Sequence, residues 1–567
     1  MELRVPYQPE IAPVNGSLTL SALVALLPLL TIFITLGALR WKAHWAGLSA
    51  VAVAILVAIF GFNMPVGLTV FSALEGAAFG IFPITWIVLC AIWMYELTVE
   101  SGHFEDLRST FHVISDDPRI LAILIAFCFG GLMEALAGFG APVAITGVML
   151  MSIGYPPLRA ALTVLLANTA PVAFGAIATP IITAGTLTGI PYQEVGATVG
   201  HQTPVLAWFV PLLLVLIVDG KRGVKEVWPA ALTIGLSFAV AQWVSATWLS
   251  VELTDVIASL VGLAAGVVLL RFWKPKGTAE AAQRLIEMKT HEAGEGFHTT
   301  TKVEINEVKP VTGPKVAMAL FPYLLVIVIF TVAKLVAPVR TALGMTDIKF
   351  RWPGLWTGEG ALILTGAGAD NSSTIFNFNW LSNPGTLLLI TGIIVGLVYR
   401  MSPALMAKVF GRQVYKLRWT FLTIGSVLAL AYVMNLSGQT ITVGTWIAGA
   451  GAIFAFLSPI LGWIGTAVTG SDTSANALFS TLQQTAAQHL GIDEHLLVAA
   501  NTSGGVVGKM ISPQNLAIAA TAVGLVGKES DIFRRSIPWS LGLLAVLCLL
   551  VGLQSTPVLS WMMPNFG

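Results

Sequence analysis

Few ionisable side chains interrupt the long apolar segments of this chain, and these are the residues whose types could do chemistry. A charged group inside a membrane span costs at least ~2.5 kcal/mol, so each of them is a functional hypothesis. Glu134, Asp472 and Lys509 are the clearest cases. Three further groups are weaker candidates: Glu75, Glu96 and His201.

The carboxyl group of Asp472 belongs to a polar run, Gly470–Asn476, between two apolar stretches. In a bilayer, backbone groups without helical hydrogen bonds cost several kcal/mol each, unless protein or a water-filled cavity satisfies them. The run therefore predicts a binding site made from a broken helix, in which Ser471, Thr473 and Ser474 offer hydroxyl groups. The alternative is a short polar loop at the membrane surface.

Asp472 and Glu134 are the two candidates for proton coupling. A proton-coupled carrier needs a carboxyl group that its surroundings hold near the point of titration at neutral pH. We favour Asp472, because half-helix ends at the break can stabilise either protonation state. Glu134 precedes another break by four residues, and it could instead be a structural cap or form a salt bridge with Lys509. Lys509 could bind a substrate carboxylate, or it could neutralise one of the two acids.

Neutral polar residues near the breaks could hold the hydroxyl group and the carboxylate of a small substrate. Free N–H groups at the N-termini of broken helices, around Gly140-Ala141 and Ser474-Ala475, favour an anion. For any single polar residue the alternative is packing between helices. The neutral candidates are Asn168, Thr169, Asn501, Thr502 and Ser503.

The composition requires a membrane around these groups. The chain of 567 residues is 56% hydrophobic and only 10% charged, and its mean hydropathy is +0.82. Soluble domains carry about 25% charged residues. Many apolar runs reach the ~20 residues that span a bilayer as a helix, and the alternating strands of an outer-membrane barrel are absent. The prediction is an all-α polytopic membrane protein.

Several function classes are excluded. The net charge of +1 implies no nucleic-acid partner. Cys90, Cys128 and Cys548 sit in apolar runs without metal-ligand spacing, which is typical of small packing residues. We predict no metal and no cofactor, and no enzyme, because no nucleophile–base constellation occurs. ATP-driven pumping would need another subunit, since there is no Walker-type phosphate loop.

Basic residues predict the orientation, because they concentrate in cytoplasmic loops. Leu18–Leu39 is interpreted as an uncleaved first span that ends at Arg40 and Lys42. From there, every strongly basic loop falls on one side of an alternating series. The prediction is twelve crossings plus two re-entrant hairpins, or fourteen helices if the hairpin arms are counted differently, with both termini outside.

The two hairpins are predicted at 119–154, entered from the cytoplasm, and at 442–490, entered from outside. Such a pair indicates an inverted-topology repeat, in which substrate binds near the midplane between broken elements. The alternative is that Gly- and Asn-rich breaks recur by composition alone. The segments after the hairpins share identities at one offset of 333 residues: Asn168 with Asn501, Thr169 with Thr502, Gly175 with Gly508, and Pro180 with Pro513.

The chain is predicted to divide into two membrane halves, 1–273 and 315–567, joined by a charged linker, 274–314. Alternating charges indicate that this linker is cytoplasmic, and it is predicted to be helical near Ala279–Lys289. Its expected role is to connect the halves; binding of a partner stays open.

Five stretches around the breaks carry a family resemblance: Glu134–Thr146, Asn168–Ala176, Thr469–Ser474, Ala500–Thr502 with Gly508–Gln514, and Val523–Asp531. They resemble motifs of the bacterial L-lactate permease family, and the resemblance covers nearly the whole chain except the linker. It implies a proton symporter of the bacterial inner membrane for lactate, with glycolate and other small 2-hydroxymonocarboxylates as family substrates. It also makes Phe139 and Gly140 candidate substrate residues.

The predicted function is therefore secondary active transport. The chain would take up L-lactate and relatives such as D-lactate and glycolate together with protons, by alternating access. Two alternatives remain: sodium coupling, because hydroxyls, amides and helix-end carbonyls also bind Na⁺, and a lactate sensor that signals through the linker. The preferred 2-hydroxy acid, its stereochemistry and the oligomeric state stay open.

Overall fold

Apolar helices dominate a computed structural model of the chain, which describes residues 6–106, 114–138, 140–294, 297, 312–357, 360–365 and 368–566. In this described part, ten helices are long and apolar enough to cross a membrane, or eleven if one bent pair counts as a span. Strands are limited there to one antiparallel pair, β1 (Ile348–Arg351) and β2 (Ile375–Phe378). The predicted all-α polytopic class is confirmed.

In its described residues, the N-terminal half begins with three long helices and continues with eight more of 5 to 35 residues. The first three are α1 (Leu18–Ala38), α2 (Ala43–Gly61) and α3 (Val66–Glu100). The others are α4 (Pro118–Leu136), α5 (Ala141–Ile153), α6 (Pro157–Ala167), α7 (Gly175–Thr188), α8 (Tyr192–Val199), α9 (Thr203–Ala207), α10 (Val210–Val244) and α11 (Thr254–Phe272).

The linker forms α12 (Thr278–Gly294), in agreement with the predicted helical stretch. The C-terminal half then mirrors the N-terminal one, with spans first and broken elements after them. Its helices are α13 (Gly313–Leu335), α14 (Ala337–Gly344), α15 (Pro384–Val398), α16 (Pro403–Leu436), α17 (Gln439–Ala448), α18 (Phe454–Thr469), α19 (Asp472–Leu490), α20 (Glu494–Gly508), α21 (Pro513–Val523) and α22 (Glu529–Gln554).

The number of long apolar helices differs from the predicted twelve crossings for two reasons. Two predicted crossings lie within one helical stretch, Tyr192–Leu249, and remain separate because the chain changes direction at Gly220, where φ is +67°. A third, α15, has only 15 residues, fewer than the ~20 that cross a bilayer unaided. Apolar runs mark the spans, but the way in which neighbouring runs join depends on the backbone at single glycines.

Hairpin 1 consists of α4 and α5, and both of its feet lie at the same end of the molecule. The Tyr155 hydroxyl, just after α5, donates a hydrogen bond to the carbonyl of Pro118, where α4 begins. Nearby Arg119 also bonds the carbonyl of Lys276, just past the end of α11. We call this end, where α1, α11 and α15 run into basic residues, the basic face, and the other end the opposite face.

Hairpin 2 consists of α18 and α19 and has its feet at the opposite face. Ser458 and Gln483, on the two arms, exchange two hydrogen bonds of 2.9 Å each, so the arms run antiparallel. Gly491 follows α19, and His495 at the start of α20 bonds Glu194 on α8. The two hairpins thus enter from opposite ends, which is the inverted arrangement that the sequence predicts.

The helices form two bundles. In the scaffold bundle, α16 packs along α2 and α3, α15 packs on α3, and α13 packs on α15. The hairpin bundle contains the two hairpins, the broken helices that follow them (α6–α7 and α20–α21), and α10, α11 and α22. Linker helix α12 docks on the hairpin bundle, where Arg284 pairs with Asp219 at 2.6 Å.

Candidate substrate and proton site

The tips of both hairpins meet α21. At the tip of hairpin 1, Gly140 has φ +88°, and a Cβ there would lie 2.2 Å from Ile518. At the tip of hairpin 2, Gly470 has φ +76°, and a Cβ there would lie 2.6 Å from the Gln514 side chain. Both glycines are required, because a side chain would be strained by the left-handed backbone and would collide with α21.

Each hairpin also packs on the broken helix of the other half. Arm α5 of hairpin 1 packs on α21, and arm α19 of hairpin 2 packs on α7. Asn476 on α19 donates a hydrogen bond of 3.2 Å to the carbonyl of Pro180 on α7. The centre of the hairpin bundle is therefore built by both halves of the chain.

A cavity of about 1240 Å³ runs from the basic face to the hairpin tips. Arg40, Lys42 and Glu529 line it at the basic face. Its inner end is formed by Gly138 and Ala141 of hairpin 1, Thr469, Ser471 and Ser474 of hairpin 2, and Pro513 and Gln514 of α21. Three of the predicted substrate residues, Ala141, Ser471 and Ser474, thus line it.

The inner end of the cavity is suited to an anion. Three helices begin there: α5 at Ala141, α19 at Asp472 and α21 at Pro513. A helix N-terminus carries unsatisfied N–H groups and roughly half a positive charge. Three N-termini that converge on one water-accessible space favour a carboxylate. Hydroxyl groups of hairpin 2 and the Gln514 amide can bind a neighbouring polar group.

Glu134 and Lys509 form a buried ion pair behind the cavity. The Nζ atom of Lys509 lies 2.5 Å from Glu134 Oε1, and the side chains are 8% and 3% exposed. Asn168 donates a hydrogen bond of 2.9 Å to the other carboxylate oxygen, Oε2. The pair therefore joins hairpin 1, and the helix break at Asn168 that follows it, to the end of α20. Of the roles considered for Glu134, the structure shows the salt bridge with Lys509.

Asp472 lies at the first position of α19, directly after cavity-lining Ser471. Its side chain points away from the cavity toward α20, where a Cβ on Gly505 would lie 1.9 Å from Oδ1. The Thr466 hydroxyl is 3.4 Å from Oδ1, and Oδ2 has no hydrogen-bond partner among the described residues. Asp472 is thus a buried carboxyl group with one unused oxygen.

Asn476 organises the polar interior of hairpin 2. Its Oδ1 accepts hydrogen bonds from Asn501 at 2.9 Å and from Thr502 at 3.0 Å. The Ser480 hydroxyl, one turn further along α19, donates to the same oxygen at 3.2 Å. Asn501 and Thr502 therefore hold the hairpin against α20 and do not line the cavity.

The other predicted substrate residues that the structure describes do not line the cavity. Thr169 donates to the carbonyl of Leu166 at 2.7 Å, and Ser503 donates to Gln202 at 2.7 Å. Thr473 is buried in the first turn of α19. Phe139 lies outside the described residues.

Sequence reasoning missed three residues of this centre. Thr469 and Gln514 line the cavity, and Asn476 is the hydrogen-bonding hub. Asn476 ends the polar run around Asp472 and could have been found there by its amide, which both donates and accepts. Gln514 has a weaker signal: a polar side chain directly after the proline that begins α21.

Known proteins with similar sequences are transporters of small carboxylates. The glycolate permease GlcA of Escherichia coli K12 is 41% identical over 549 residues, which cover 95% of this chain and 96% of that protein. The L-lactate permease of Bacillus subtilis 168 is 40% identical and covers 97% and 99%. The L-lactate permease of Escherichia coli K12 is 39% identical and covers 97% and 98%.

Among solved structures, the YdaH transporter of Alcanivorax borkumensis aligns with 97% of this chain and 99% of its own, at 13% identity and a TM-score of 0.45. A family model described as L-lactate permease matches residues 21–558. Since that model covers most of the chain and the curated relatives match along nearly their whole length, the chain belongs to the L-lactate permease family and is a permease, not an enzyme.

Proposed function

We propose that this permease takes up L-lactate and related 2-hydroxymonocarboxylates, including D-lactate and glycolate, together with protons. The observation that carries the proposal is the cavity that ends at three helix N-termini contributed by both hairpins and α21. A substrate carboxylate is stabilised there by the partial positive charges. The 2-hydroxyl group has partners in Ser471, Ser474, Thr469 and Gln514. The names of the relatives, lactate and glycolate permeases, support the same substrate class.

Alternating access is supported by the one-sided cavity. It opens at the basic face, and toward the opposite face hairpin 2 packs on α7. Because basic residues favour the cytoplasm, we assign the basic face to the cytoplasmic side of a bacterial inner membrane, with both termini in the periplasm. The structure then corresponds to an inward-facing state.

Proton coupling is assigned to the two buried carboxyl groups of the centre, Asp472 and Glu134. Asp472 has a free Oδ2 behind the substrate hydroxyl partners. Protonation of Glu134 would remove its ion pair and leave the Lys509 ammonium group available to the substrate carboxylate. In either case a proton and an anion enter the bundle together, so that the moving unit gains no net charge. This is the electrostatic requirement for crossing an apolar layer.

The movement we propose is an elevator-like displacement of the hairpin bundle against the scaffold bundle. The two hairpin tips and α21 supply the helix N-termini of the substrate centre, whereas α1, α3 and α16 also line the cavity. The binding groups of the hairpin bundle would therefore change depth against a fixed scaffold. Structures with the site at two depths would support this movement, whereas a fixed site with rocking gates would exclude it.

The test is transport by the purified full-length chain in proteoliposomes. Counterflow of labelled lactate, competed by lactate, glycolate and pyruvate, measures carrier activity; an imposed pH gradient measures coupling. Asp472→Asn and Glu134→Gln are the coupling variants. Asp493→Asn is the control, because that carboxyl group is half exposed at the start of α20. We expect the control to respond to the pH gradient and at least one coupling variant to lose the response.

Each rival has its own outcome. Uptake that follows a sodium gradient and ignores a pH gradient would replace proton coupling by sodium coupling. Absence of counterflow in folded, lactate-binding protein would indicate a sensor. Full pH-driven uptake by both coupling variants would remove Asp472 and Glu134 from the proton step.

A further inference from the structure

A further buried carboxyl group lies one layer behind Glu134. Asp255, in the first turn of α11, is 0% exposed. It lies about 24 Å from Arg271 along the helix, and Glu134 lies about 22 Å from Arg119, at 1.5 Å per residue. Arg119 and Arg271 both mark the basic face, and α11 packs against the end of α4 that carries Glu134. The two carboxyl groups are therefore at similar depth on neighbouring helices.

Gln242 on α10 links Asp255 to the break between α6 and α7. Its Nε2 atom donates to Asp255 Oδ1 at 3.1 Å and to the carbonyl of Ala170 at 3.1 Å. Asn168, two residues before Ala170, is the donor to Glu134. Asp255 is thus tied, through Gln242, to the same helix break that supplies Glu134 with a hydrogen-bond donor.

Two unused polar atoms lie on the same face of α11. Asp255 Oδ2 and the Ser259 hydroxyl have no hydrogen-bond partner among the described residues. Ser259 follows Asp255 by four residues, so both lie on one helical face. A Cβ on Gly131 would lie 2.6 Å from the Ser259 hydroxyl, and Gly131 precedes Glu134 by less than one helical turn. The Ser259 hydroxyl therefore lies beside the turn of α4 that leads to Glu134.

Asp255 has no counter-ion within the part of the chain that the structure describes. The charged group that acts on it from a packed element is Glu134, which is also acidic. Glu252, in the turn before α11, is already bonded to Tyr192 and Ser250. Of the other titratable groups on packed elements, Cys128 faces α11 at Gly262 and Tyr323 of α13 bonds Met133. Arg119 of α4 and the charged groups of α10 lie at the basic face, far from Asp255: Asp219, Lys221, Arg222, Lys225 and Glu226. A carboxylate buried without a cation is costly, and a bound proton removes that cost.

We propose that Asp255 is a proton-binding site that exchanges its proton with Glu134 during transport. The O–H bond at Asp255 Oδ2 breaks and an O–H bond forms on the Glu134 carboxylate, by way of a Ser259 hydroxyl that bonds neither group in this state and must move to relay the proton. Asp255 becomes the carboxylate, Glu134 becomes neutral, and Lys509 is released from the ion pair. This inference rests on the proposed proton coupling and assigns the group that supplies Glu134 with its proton.

The test compares two modes of lactate transport by the full chain in proteoliposomes. Counterflow at equal pH needs no net proton movement, whereas uptake driven by a pH gradient does. For Asp255→Asn we expect the ratio of gradient-driven uptake to counterflow to fall at least tenfold. Glu75→Gln is the control: its carboxyl group is also buried, and neither of its oxygens has a hydrogen-bond partner among the described residues, but it lies on α3 of the scaffold. Its ratio should equal that of the wild type.

Three results would overturn the inference: an unchanged ratio in Asp255→Asn, an equal loss of both modes in folded protein, or the same change in Glu75→Gln. A wild type that ignores the pH gradient would instead refute proton coupling itself. If Asp255→Asn does not fold, carbodiimide labelling of the wild type tests whether Asp255 binds and releases a proton. We expect labelling at Asp255 to fall as pH rises and to change with lactate; constant labelling across the pH range would exclude proton exchange.

Discussion

At the scale of single residues, the pair of Glu134 and Lys509 joins the two halves of the chain. Both charges are buried, so their attraction mainly offsets the cost of removing them from water. The cost of losing one partner is therefore larger than the net value of the pair. Asn168 adds a hydrogen bond to the carboxylate and leaves Glu134 without an unused oxygen.

This difference in cost predicts that removing one charge of the pair destabilises the protein more than removing both charges. Lys509→Met should destabilise the protein by about 3–5 kcal/mol, because Glu134 is left as an unpaired buried charge. The double variant Glu134→Gln with Lys509→Met should recover most of that loss. Thermal unfolding in detergent measures both.

Lys416→Met is the matched control for that cycle. Lys416 pairs with Glu96 at 3.6 Å, but its side chain is 55% exposed, and such surface pairs contribute at most about 1 kcal/mol. A double variant as unstable as Lys509→Met alone would show that the pair is not the source of the instability.

Sequence reasoning found the reactive residues of the centre but could not decide their pairing. Glu134, Asp472 and Lys509 stand out because charges in apolar segments are costly. Lys509 had several potential partners, and only tertiary packing places it beside Glu134, 375 residues away. Asn501 and Thr502 carry the same hydrogen-bonding groups that a ligand-binding residue would, yet they donate their hydrogen bonds to Asn476.

At the scale of elements, the two broken helices differ although they share the offset of 333 residues. Helix α6 ends at Ala167, whereas α20 continues through Asn501 to Gly508. The reason is a single position: Pro171 corresponds to Gly504. Proline lacks the N–H group that a helix interior requires, and glycine retains it. The repeat predicted that both helices break, and the position of the proline decides where.

Gly504 also allows α20 to approach α18 closely. A Cβ at this position would lie 2.0 Å from the carbonyl oxygen of Pro459, a backbone atom that cannot move aside. We expect Gly504→Ala to destabilise the protein by about 1–3 kcal/mol, as overpacking does, and to lower transport. Thermal unfolding and lactate counterflow measure the effect.

Gly542 on α22 is the control, because an alanine there gains the same helix propensity over glycine without a close contact. Nothing lies within 4 Å of a Cβ at this position. Gly542→Ala should therefore raise stability by up to about 1 kcal/mol. Equal effects of the two alanines would mean that contact between α18 and α20 is not the constraint.

At the scale of the whole molecule, charge and hydropathy predicted the inverted hairpins, and the cavity could not be predicted. The hairpins follow from glycine-rich breaks and from basic residues at one end. The cavity depends on the contact of each hairpin with the broken helix of the other half, which no local pattern encodes. Linker helix α12 adds a further contact that no local pattern predicts, because it docks on the hairpin bundle. It therefore belongs to one bundle and is not a free connection between the two.

Two cysteine pairs test whether the hairpin bundle moves as one body. Asn435 on α16 and Thr481 on α19 connect the two bundles, with a hydrogen bond of 3.1 Å between their side chains. A cross-link between cysteines at these positions, in a chain without its three native cysteines, should fix the two bundles in their present arrangement. We expect uptake to fall at least tenfold and to return on reduction.

The second pair joins the two sequence halves inside the hairpin bundle. A Cβ at Gly147 on α5 would lie 3.3 Å from the Cβ of Ala522 on α21, close to the separation found in disulfides. If the bundle moves as a unit, the cross-linked Gly147→Cys and Ala522→Cys variant should keep most of its uptake. If the halves instead rock against each other, this bond spans the moving interface and must block transport. Uptake that is lost in both cross-linked pairs would therefore exclude the elevator movement, whereas loss in the Asn435–Thr481 pair alone would support it.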